Sequence, residues 1–379
     1  MPATLLPIDA GRRRLEDHRE HAGREALERI RATAAPLAGA RILHLTAAGT
    51  TSSEAPHYLR SLLPLIADLG LEVEWNAISG GDYERVGDWL EQGLGGAEFA
   101  ASSAEWDAWM EESSAALEAD AADHDLVVVH DAGALGCARA AGPHFAWSRH
   151  EDASEPDRAA AERLAALTEG VEVRDIAPAL DPLNPRNHDL PRKLAGQVLR
   201  SLGIDLARPS VCQTGTIDRW TDPHTAVDAF DLLKDALPEL QLVIAGPLPG
   251  EGGGDLRVAK EIDDYAEGRA DVHVKTGYGG VGNVEVNALQ RVARAGVQLS
   301  LRPDHGTARL ETWWKGTPVV EEGDAESVAA QVEGWVRDPG LAIELGRAGR
   351  ERVKERHLIT RAVEDELGLA GSLVGTVTR

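Results

Sequence analysis

The sequence predicts an α/β protein made of two similar halves, each built on a largely parallel sheet. Apolar runs of strand length alternate with amphipathic segments of helical spacing, and the order strand, helix, strand occurs in both halves. A Pro- and Asn-rich stretch separates the halves. The chain has 379 residues, enough for two domains of roughly 150 to 200 residues. Two Rossmann-like domains are therefore expected.

The first half begins with a polar segment of helical character from Leu15 to Ala38, followed by the buried-strand pattern ARILHLT. Helical spacing then marks PHYLRSLLPLIADLG, and the next strand pattern is LEVEWNAI. The acidic, Ala-rich stretch from Asp88 to Asp123 is expected to be helical, before the strand HDLVVVHD. The polar end of that strand is a candidate site, because open α/β sheets bind ligands at the carboxyl ends of their strands.

The second half begins near Pro209 with the strand pattern SVCQTGTI. It continues through the amphipathic segment TAVDAFDLLKDALPEL and returns through the apolar run QLVIAGPL, which again gives strand, helix, strand. The boundary between the halves is expected at residues 182 to 208, where DPLNPRNHDLPRK breaks regular structure. A last run of helical periodicity extends from Asp338 to Leu367.

Composition narrows the class of protein. The formal net charge is -24, which repels phosphate backbones and anionic lipid, so nucleic acid and membranes are not expected as partners. Only Cys137 and Cys212 occur, too few for a disulfide framework or a Cys-rich metal site. The N-terminal segment is charged where a signal peptide needs an apolar core. A cytoplasmic protein is expected.

The stretch Ser300 to Val320, SLRPDHGTARLETWWKGTPVV, resembles the nucleotide-sugar site of retaining glycosyltransferases of GT-B architecture. Within that class the chain is similar to the trehalose synthases, which join a nucleotide-activated glucose to free glucose. This likeness is carried in order by RSLLPLIADLGLEVEW, APALDPLNPRN, VEVNALQR and ETWWKGTPVV. The resemblance implies two Rossmann-like domains facing a cleft, with a C-terminal helix that crosses back to the first domain. It divides the chain into an acceptor-side domain (1–185), a donor-side domain (186–355) and a C-terminal helix (356–379).

The resemblance also implies candidate site residues. In the first domain, the family motifs match HDLVVVHDAGALG and WSRHEDAS. The candidate acid–base residues of these motifs are His130, Asp131, His150 and Asp152. The candidate donor- or substrate-binding residues are Glu54, Thr216, Arg219, Arg302, Gly306, Glu311 and Lys315. In the family, the position of Glu311 holds the nucleotide ribose; a carboxylate that interacts with its helix dipole is the structural alternative. For the two histidines, the alternative is a solvated or structurally bonded imidazole.

Several family positions that bind the donor are altered in this chain. Pro303 stands at the first acidic position of the E-x7-E motif, and Thr216 and Thr221 stand where the family has an Arg and a Lys that hold the phosphates. The loop GTTSSEA lacks the glycines of the family, and the segment after Val320 lacks a glycine-rich loop. A diphosphate leaving group needs cations and N–H donors aimed at its oxygens. An impaired nucleotide-sugar site is therefore expected.

Three functions stay open at this point. The first is a repurposed enzyme that acts on a small molecule, in specialised metabolism for example; the second is an active retaining glycosyltransferase with a changed donor. The third is a non-catalytic pseudoglycosyltransferase that binds a partner protein. No cofactor and no metal are expected, because transferases of this fold generally lack a metal-binding carboxylate pair. The expected ligand is a small molecule such as a sugar or nucleotide sugar, and a homodimer or a partner protein is compatible with the sequence.

Overall fold

The structure is a computed structural model, and its described residues form two compact units. It describes residues 3–6, 8, 13–47, 55–78, 82–94, 96–121, 123–139, 145–149, 156–217, 221–246, 256–277, 281–299 and 307–374. The N-terminal unit contains the described residues up to Ala179 and those from Leu358 onward. The C-terminal unit contains the described residues between Leu180 and His357.

Eleven strands are assigned in the described part of the chain. They are β1 (Ala3–Leu5), β2 (Arg41–Ala47), β3 (Glu72–Ile78), β4 (Leu126–Val129), β5 (Phe145–Arg149), β6 (Glu172–Asp175), β7 (Ser210–Thr214), β8 (Gln241–Gly246), β9 (Val272–Thr276), β10 (Ala295–Val297) and β11 (Val319–Val320).

Fourteen α-helices accompany them within the same described ranges. They are α1 (Arg19–Ala22), α2 (Arg24–Ala34), α3 (Ala55–Asp68), α4 (Asp82–Leu94), α5 (Ser103–Ala121), α6 (Arg158–Leu167), α7 (Arg192–Ser201), α8 (Pro223–Lys234), α9 (Leu256–Ala266), α10 (Asn283–Val292), α11 (Thr307–Trp314), α12 (Ala325–Arg337), α13 (Pro339–Arg356) and α14 (Ile359–Val374).

The sheet of the N-terminal unit has the described strand order β1-β3-β2-β4-β5-β6. All neighbouring strands are parallel except β1, which pairs antiparallel with β3. Because β2 and β4 are parallel neighbours, with Leu45 opposite Val129, their carboxyl ends lie side by side. This end of the two strands carries the candidate residues His130 and Asp131.

The C-terminal helix α14 belongs to the core of the N-terminal unit. Its buried residues Ile359, Ala362, Val363 and Leu367 share one face at helical spacing and pack in the same core cluster as residues of α2 and α3. The sequence predicted a return of the final helix to the first domain, and this packing confirms it. The periodic run from Asp338 to Leu367 is two helices, however, with α13 ending at Arg356.

Two other predicted helices are also divided in the structure. The polar segment from Leu15 to Ala38 breaks at Gly23, whose φ of +81° is accessible to glycine and strained for other residues. The acidic stretch from Asp88 to Asp123 falls on the end of α4 and on α5. Strand β1 adds an antiparallel edge that the sequence did not predict.

The C-terminal unit contains a parallel sheet with the described order β11-β10-β7-β8-β9. Asp222 begins α8: its carboxylate accepts the Thr225 N–H at 3.3 Å, and Pro223 occupies the first turn. Helix α13 packs closely on α11, because a Cβ at Gly349 would lie 2.4 Å from the Trp313 ring. The two sheets and their helices confirm the predicted α/β class.

Candidate functional site

The carboxyl end of β4 carries His130 and Asp131, and both side chains are buried, each residue being 1% exposed. The two oxygens of Asp131 accept from the Ala47 N–H at 3.0 Å, and Oδ1 accepts from the Ala134 N–H at 3.1 Å. Ala47 ends β2, whereas Ala134 lies in the 3-10 helix Ala132–Arg139. The Asp131 carboxylate therefore fastens the backbone that follows β4 to the end of β2.

His130 is oriented by a second histidine, His44 of β2. His130 Nε2 lies 2.8 Å from His44 Nδ1, and the two rings stack with their centroids 5.1 Å apart. Burial lowers the pKa of His44 to about 3, so this imidazole is neutral near pH 7. One of the two facing nitrogens must donate, which ties the tautomer of His130 to that of His44. Such an arrangement fixes the ring of a candidate acid or base.

A buried carboxyl group, Glu366 of α14, joins the same unit. It accepts the Ser148 hydroxyl at 2.5 Å and the Tyr58 hydroxyl at 3.4 Å. Burial raises the pKa of Glu366 to about 7, and the two hydroxyl donors lower it in part. The ring of Tyr58 lies 6.3 Å from that of His130. Glu366 thus ties α14 to β5 and α3 beside the histidine pair.

Six of the predicted site residues lie outside the described residues, and their assignment stays a prediction. They are Glu54, His150, Asp152, Arg219, Arg302 and Gly306. Pro303 and the loop GTTSSEA, apart from the helical backbone at Ala55, are likewise outside.

In the C-terminal unit, neutral groups follow the carboxyl end of β7. The Thr221 hydroxyl donates to the Thr216 carbonyl at 3.3 Å, and the Gln213 amide donates to the Thr221 carbonyl. Gly215 is held close to β8, because a Cβ on Gly246 would lie 1.7 Å from the Gly215 carbonyl oxygen. The two threonines, at positions where the resemblance implies an Arg and a Lys, are therefore connected to each other within this loop.

Glu311 lies on α11 beside this loop and is 6% exposed. Its Oε2 is 3.5 Å from Gln290 Nε2, which also donates to the Thr214 hydroxyl at 2.8 Å. Arg186 Nε is 3.8 Å from Glu311 Oε1. The carboxylate is thus connected through Gln290 to the end of β7, with a guanidinium at its other oxygen.

Lys315 is one helical turn after Glu311 and binds Asn187, which lies near the start of the C-terminal unit. Its Nζ donates to Asn187 Oδ1 at 2.7 Å, and the neighbouring Trp314 Nε1 donates to the Asn187 carbonyl at 3.2 Å. Burial lowers the pKa of Lys315 to about 7, and Arg291 and Arg186 lower it further. The predicted donor-binding amine is therefore engaged with Asn187 in this structure.

Two other arginines of the C-terminal unit are paired with carboxylates. Arg291 binds Asp189 at 3.0 Å, and Arg309 binds Glu321 at 2.5 Å. Across the described ranges, no group of three or more His, Cys, Asp or Glu side chains is arranged to hold a metal ion. In the same ranges, no helix combines the length and apolar character that a bilayer crossing requires.

Sequence reasoning missed four residues of these two clusters: His44, Glu366, Arg186 and Gln290. His44 and Glu366 carry a local signal, because each is a polar residue within an otherwise apolar strand or helix face, ARILHLT and Ala362 to Leu367. Arg186 and Gln290 lie inside motifs that the resemblance used only to recognise the family. Their proximity to Glu311 follows from the fold.

The sequence model of the family described as "Trehalose synthase, N-terminal domain" matches residues 55–175. Curated relatives match over nearly the whole chain. The trehalose synthase of Rubrobacter xylanophilus is 29% identical, with 98% of this chain and 100% of the relative covered. That of Pyrococcus horikoshii is 26% identical, with 97% of this chain and 98% of the relative covered.

Solved structures match the fold. The sucrose-phosphate synthase from Thermosynechococcus elongatus superposes with a TM-score of 0.65 at 14% identity, with 89% of this chain and 100% of that chain covered. A UDP-forming α,α-trehalose-phosphate synthase from Burkholderia xenovorans gives a TM-score of 0.66 at 14% identity, with the same two coverages. At these identities the likeness concerns the fold alone.

Proposed function

This chain is a trehalose-synthase-like protein with the GT-B glycosyltransferase fold, and we propose that it is a repurposed enzyme with an impaired nucleotide-sugar site. In this proposal it acts on a small, sugar-like molecule. Its scaffold is that of a transferase, whereas recognition of a nucleoside diphosphate is weakened.

The proposal depends above all on the loop after β7. Thr216 and Thr221 stand where the resemblance expects an Arg and a Lys, and the Thr221 hydroxyl donates to the Thr216 carbonyl. A threonine supplies one neutral donor, whereas a bound diphosphate is stabilised by several charge-assisted hydrogen bonds. Among the described residues, this loop therefore offers no positive charge to a leaving diphosphate.

Three basic side chains of the same unit support this conclusion. Lys315 donates to Asn187, Arg291 pairs with Asp189, and Arg309 pairs with Glu321. Recruiting any of them for a phosphate would break an existing contact. We propose that Glu311 accepts hydrogen bonds from hydroxyl groups of the ligand, which suits a buried carboxylate at the edge of a sheet.

In this proposal, residues of the first half of the chain act as the acid and the base. The Asp131 carboxylate accepts from two backbone N–H groups, so we assign it the role of fixing the site. His130, oriented by His44, is the candidate acid or base among the described residues, and the predicted His150 and Asp152 complete the set.

An active retaining glycosyltransferase with an altered donor is the second candidate. Two observations favour it: full-length similarity to trehalose synthases and the presence of Glu311 at the family's second acidic position. In that case the cations must come from residues outside the described ranges, such as the predicted Arg219 and Arg302.

Isothermal titration calorimetry with UDP, ADP, GDP and their glucose conjugates separates the two candidates. We expect each wild-type Kd to exceed about 1 mM, a binding free energy weaker than about -4 kcal/mol. Replacing Thr216→Arg and Thr221→Lys together should improve UDP binding by about tenfold or more, because two cations then face the phosphates.

The matched control places the same two charges on exposed positions of α7, as Gln197→Lys and Ser201→Arg. It should not bind UDP more tightly than the wild type. Wild-type binding of a nucleotide glucose with a Kd below about 100 μM would contradict the impaired site and favour the second candidate. Failure to bind any sugar, together with co-purification of a stoichiometric partner protein, would instead favour a non-catalytic role.

A further inference from the structure

Arg186 differs from the other cations near Glu311. Its guanidinium makes no hydrogen bond within the described structure, and its nearest charged partner is Glu311 Oε1, 3.8 Å from Nε. The side chain is only 19% exposed. Its Nε is buried without a hydrogen-bond partner, and a buried N–H donor left unsatisfied is costly unless a ligand accepts from it.

The backbone around Arg186 is fixed from both sides. Asn287 of α10 donates to the Pro185 carbonyl at 3.2 Å and to the His188 carbonyl at 2.9 Å. Arg291 also donates to the His188 carbonyl, at 2.7 Å, and Trp314 of α11 donates to the Asn187 carbonyl at 3.2 Å. The segment that presents Arg186 is thus held by two helices, while the guanidinium has, among the described residues, the ion-pair contact with Glu311 at 3.8 Å and no hydrogen bond.

Such a preorganised donor group suits ligand binding, because little conformational freedom is lost when the ligand arrives. The charge balance indicates the kind of group. Glu311 contributes one negative charge, and the Arg186 guanidinium contributes a positive charge 3.8 Å away, beyond hydrogen-bond distance. An anionic oxygen at Arg186 would complete the pairing, and a hydroxyl on the same molecule would donate to Glu311.

We propose that Arg186 is a specificity-determining residue that binds an anionic oxygen of the ligand. This oxygen lies beside the ligand hydroxyl that donates a hydrogen bond to Glu311. The ligand class is a hydroxylated ring that bears a phosphate, either a sugar phosphate or a nucleoside phosphate. This inference builds on the proposed role of Glu311 and adds the charge that the β7 loop lacks.

The test is calorimetric titration of the full chain with α-glucose 1-phosphate, UDP and glucose. We expect wild-type protein to bind α-glucose 1-phosphate, Arg186→Gln to weaken that binding by about tenfold or more, and Arg186→Lys to keep part of it. Weak binding of neutral glucose should be the same in wild type and Arg186→Gln. The control is Arg192→Gln, which removes an exposed arginine of α7 and should leave all three titrations unchanged.

The UDP arm separates this inference from the proposed function. If UDP binds tightly and depends on Arg186, the Arg186 assignment stands while the impaired nucleotide site is refuted. If Arg186→Gln binds both phosphorylated probes as tightly as wild type, or if wild type binds neither, the Arg186 assignment is overturned. The melting temperature of Arg186→Gln is measured as well, so that a loss of binding is attributed to the missing guanidinium only in a folded protein.

Discussion

Replacing Glu366 by Gln should make the anchoring of α14 independent of pH. In the folded protein the pKa of Glu366 is about 7, against a usual value of 4.5, chiefly because the carboxyl is buried. Asp365 raises this pKa further, while Ser148, Tyr58 and Arg174 lower it. Between pH 4.5 and about 7, the folded state keeps a proton that the unfolded chain has released, so stability falls as pH rises.

The size of the effect follows from the same two pKa values. At 1.36 kcal/mol for each pH unit between 4.5 and about 7, the folded state loses about 3 kcal/mol by pH 8. Gln stays neutral and its carbonyl oxygen still accepts the Ser148 hydroxyl. Glu366→Gln should therefore exceed the wild-type free energy of unfolding by less than about 1 kcal/mol at pH 5 and by about 3 kcal/mol at pH 8.

The assay is urea unfolding of both proteins from pH 5 to 8, with hydrogen exchange of residues 359–374 as a local readout. Glu364→Gln is the matched control, since Glu364 lies on the same helix and pairs at 3.4 Å with the exposed Arg29. Its difference from wild type should stay within about 0.5 kcal/mol. A difference between Glu366→Gln and wild type that does not change with pH would refute the reasoning.

Three further outcomes are expected. Gly346→Ala should destabilise the C-terminal unit by about 1–3 kcal/mol in urea unfolding, because the added Cβ would lie 1.9 Å from the Gly316 carbonyl oxygen. The control Gly334→Ala, whose added Cβ meets nothing within 4 Å, should stabilise the unit by about 0.5–1 kcal/mol. Equal effects of the two substitutions would contradict this packing. Asp131→Ala should lower the free energy of unfolding of the N-terminal unit by about 1–3 kcal/mol in urea unfolding, since two backbone N–H groups lose their acceptor. An unchanged urea midpoint would argue against a structural role of Asp131. The free energy of unfolding of wild type, relative to that of Lys315→Met, should rise by about 1.4 kcal/mol from pH 8 to pH 9. In this range Lys315 is neutral in the folded protein, where its pKa is about 7, and protonated in the unfolded chain. A difference that stays constant with pH would contradict the burial of Lys315.

Much of the fold followed from local patterns. The runs ARILHLT, HDLVVVHD and QLVIAGPL are continuous and apolar because their strands are covered on both faces, and each forms a parallel strand in the structure. Helix breaks were harder to predict. Gly23 interrupts an otherwise unbroken polar pattern through its positive φ, and periodicity alone cannot reveal a backbone angle.

The candidate site was less accessible from sequence. Glu311 and His130 became candidates through motifs; the structure has His130 after β4 and Glu311 on α11, and their roles stay predictions. The residues that contact them could not be predicted from the sequence. Arg186 and Glu311, for example, are 125 positions apart in the chain and meet only through the tertiary fold. Likewise, nothing in the local sequence showed that Lys315 would bind Asn187.

The most direct test of the proposal that the donor site is impaired is a transfer assay. Purified protein is incubated with glucose and with UDP-, ADP- or GDP-glucose, and both nucleoside diphosphate release and disaccharide formation are measured. Because Thr216 and Thr221 stand where the resemblance implies an Arg and a Lys, we predict neither product above the level of a protein-free control. Sustained turnover that yields equal amounts of nucleoside diphosphate and disaccharide would contradict the impaired site and identify an active retaining transferase.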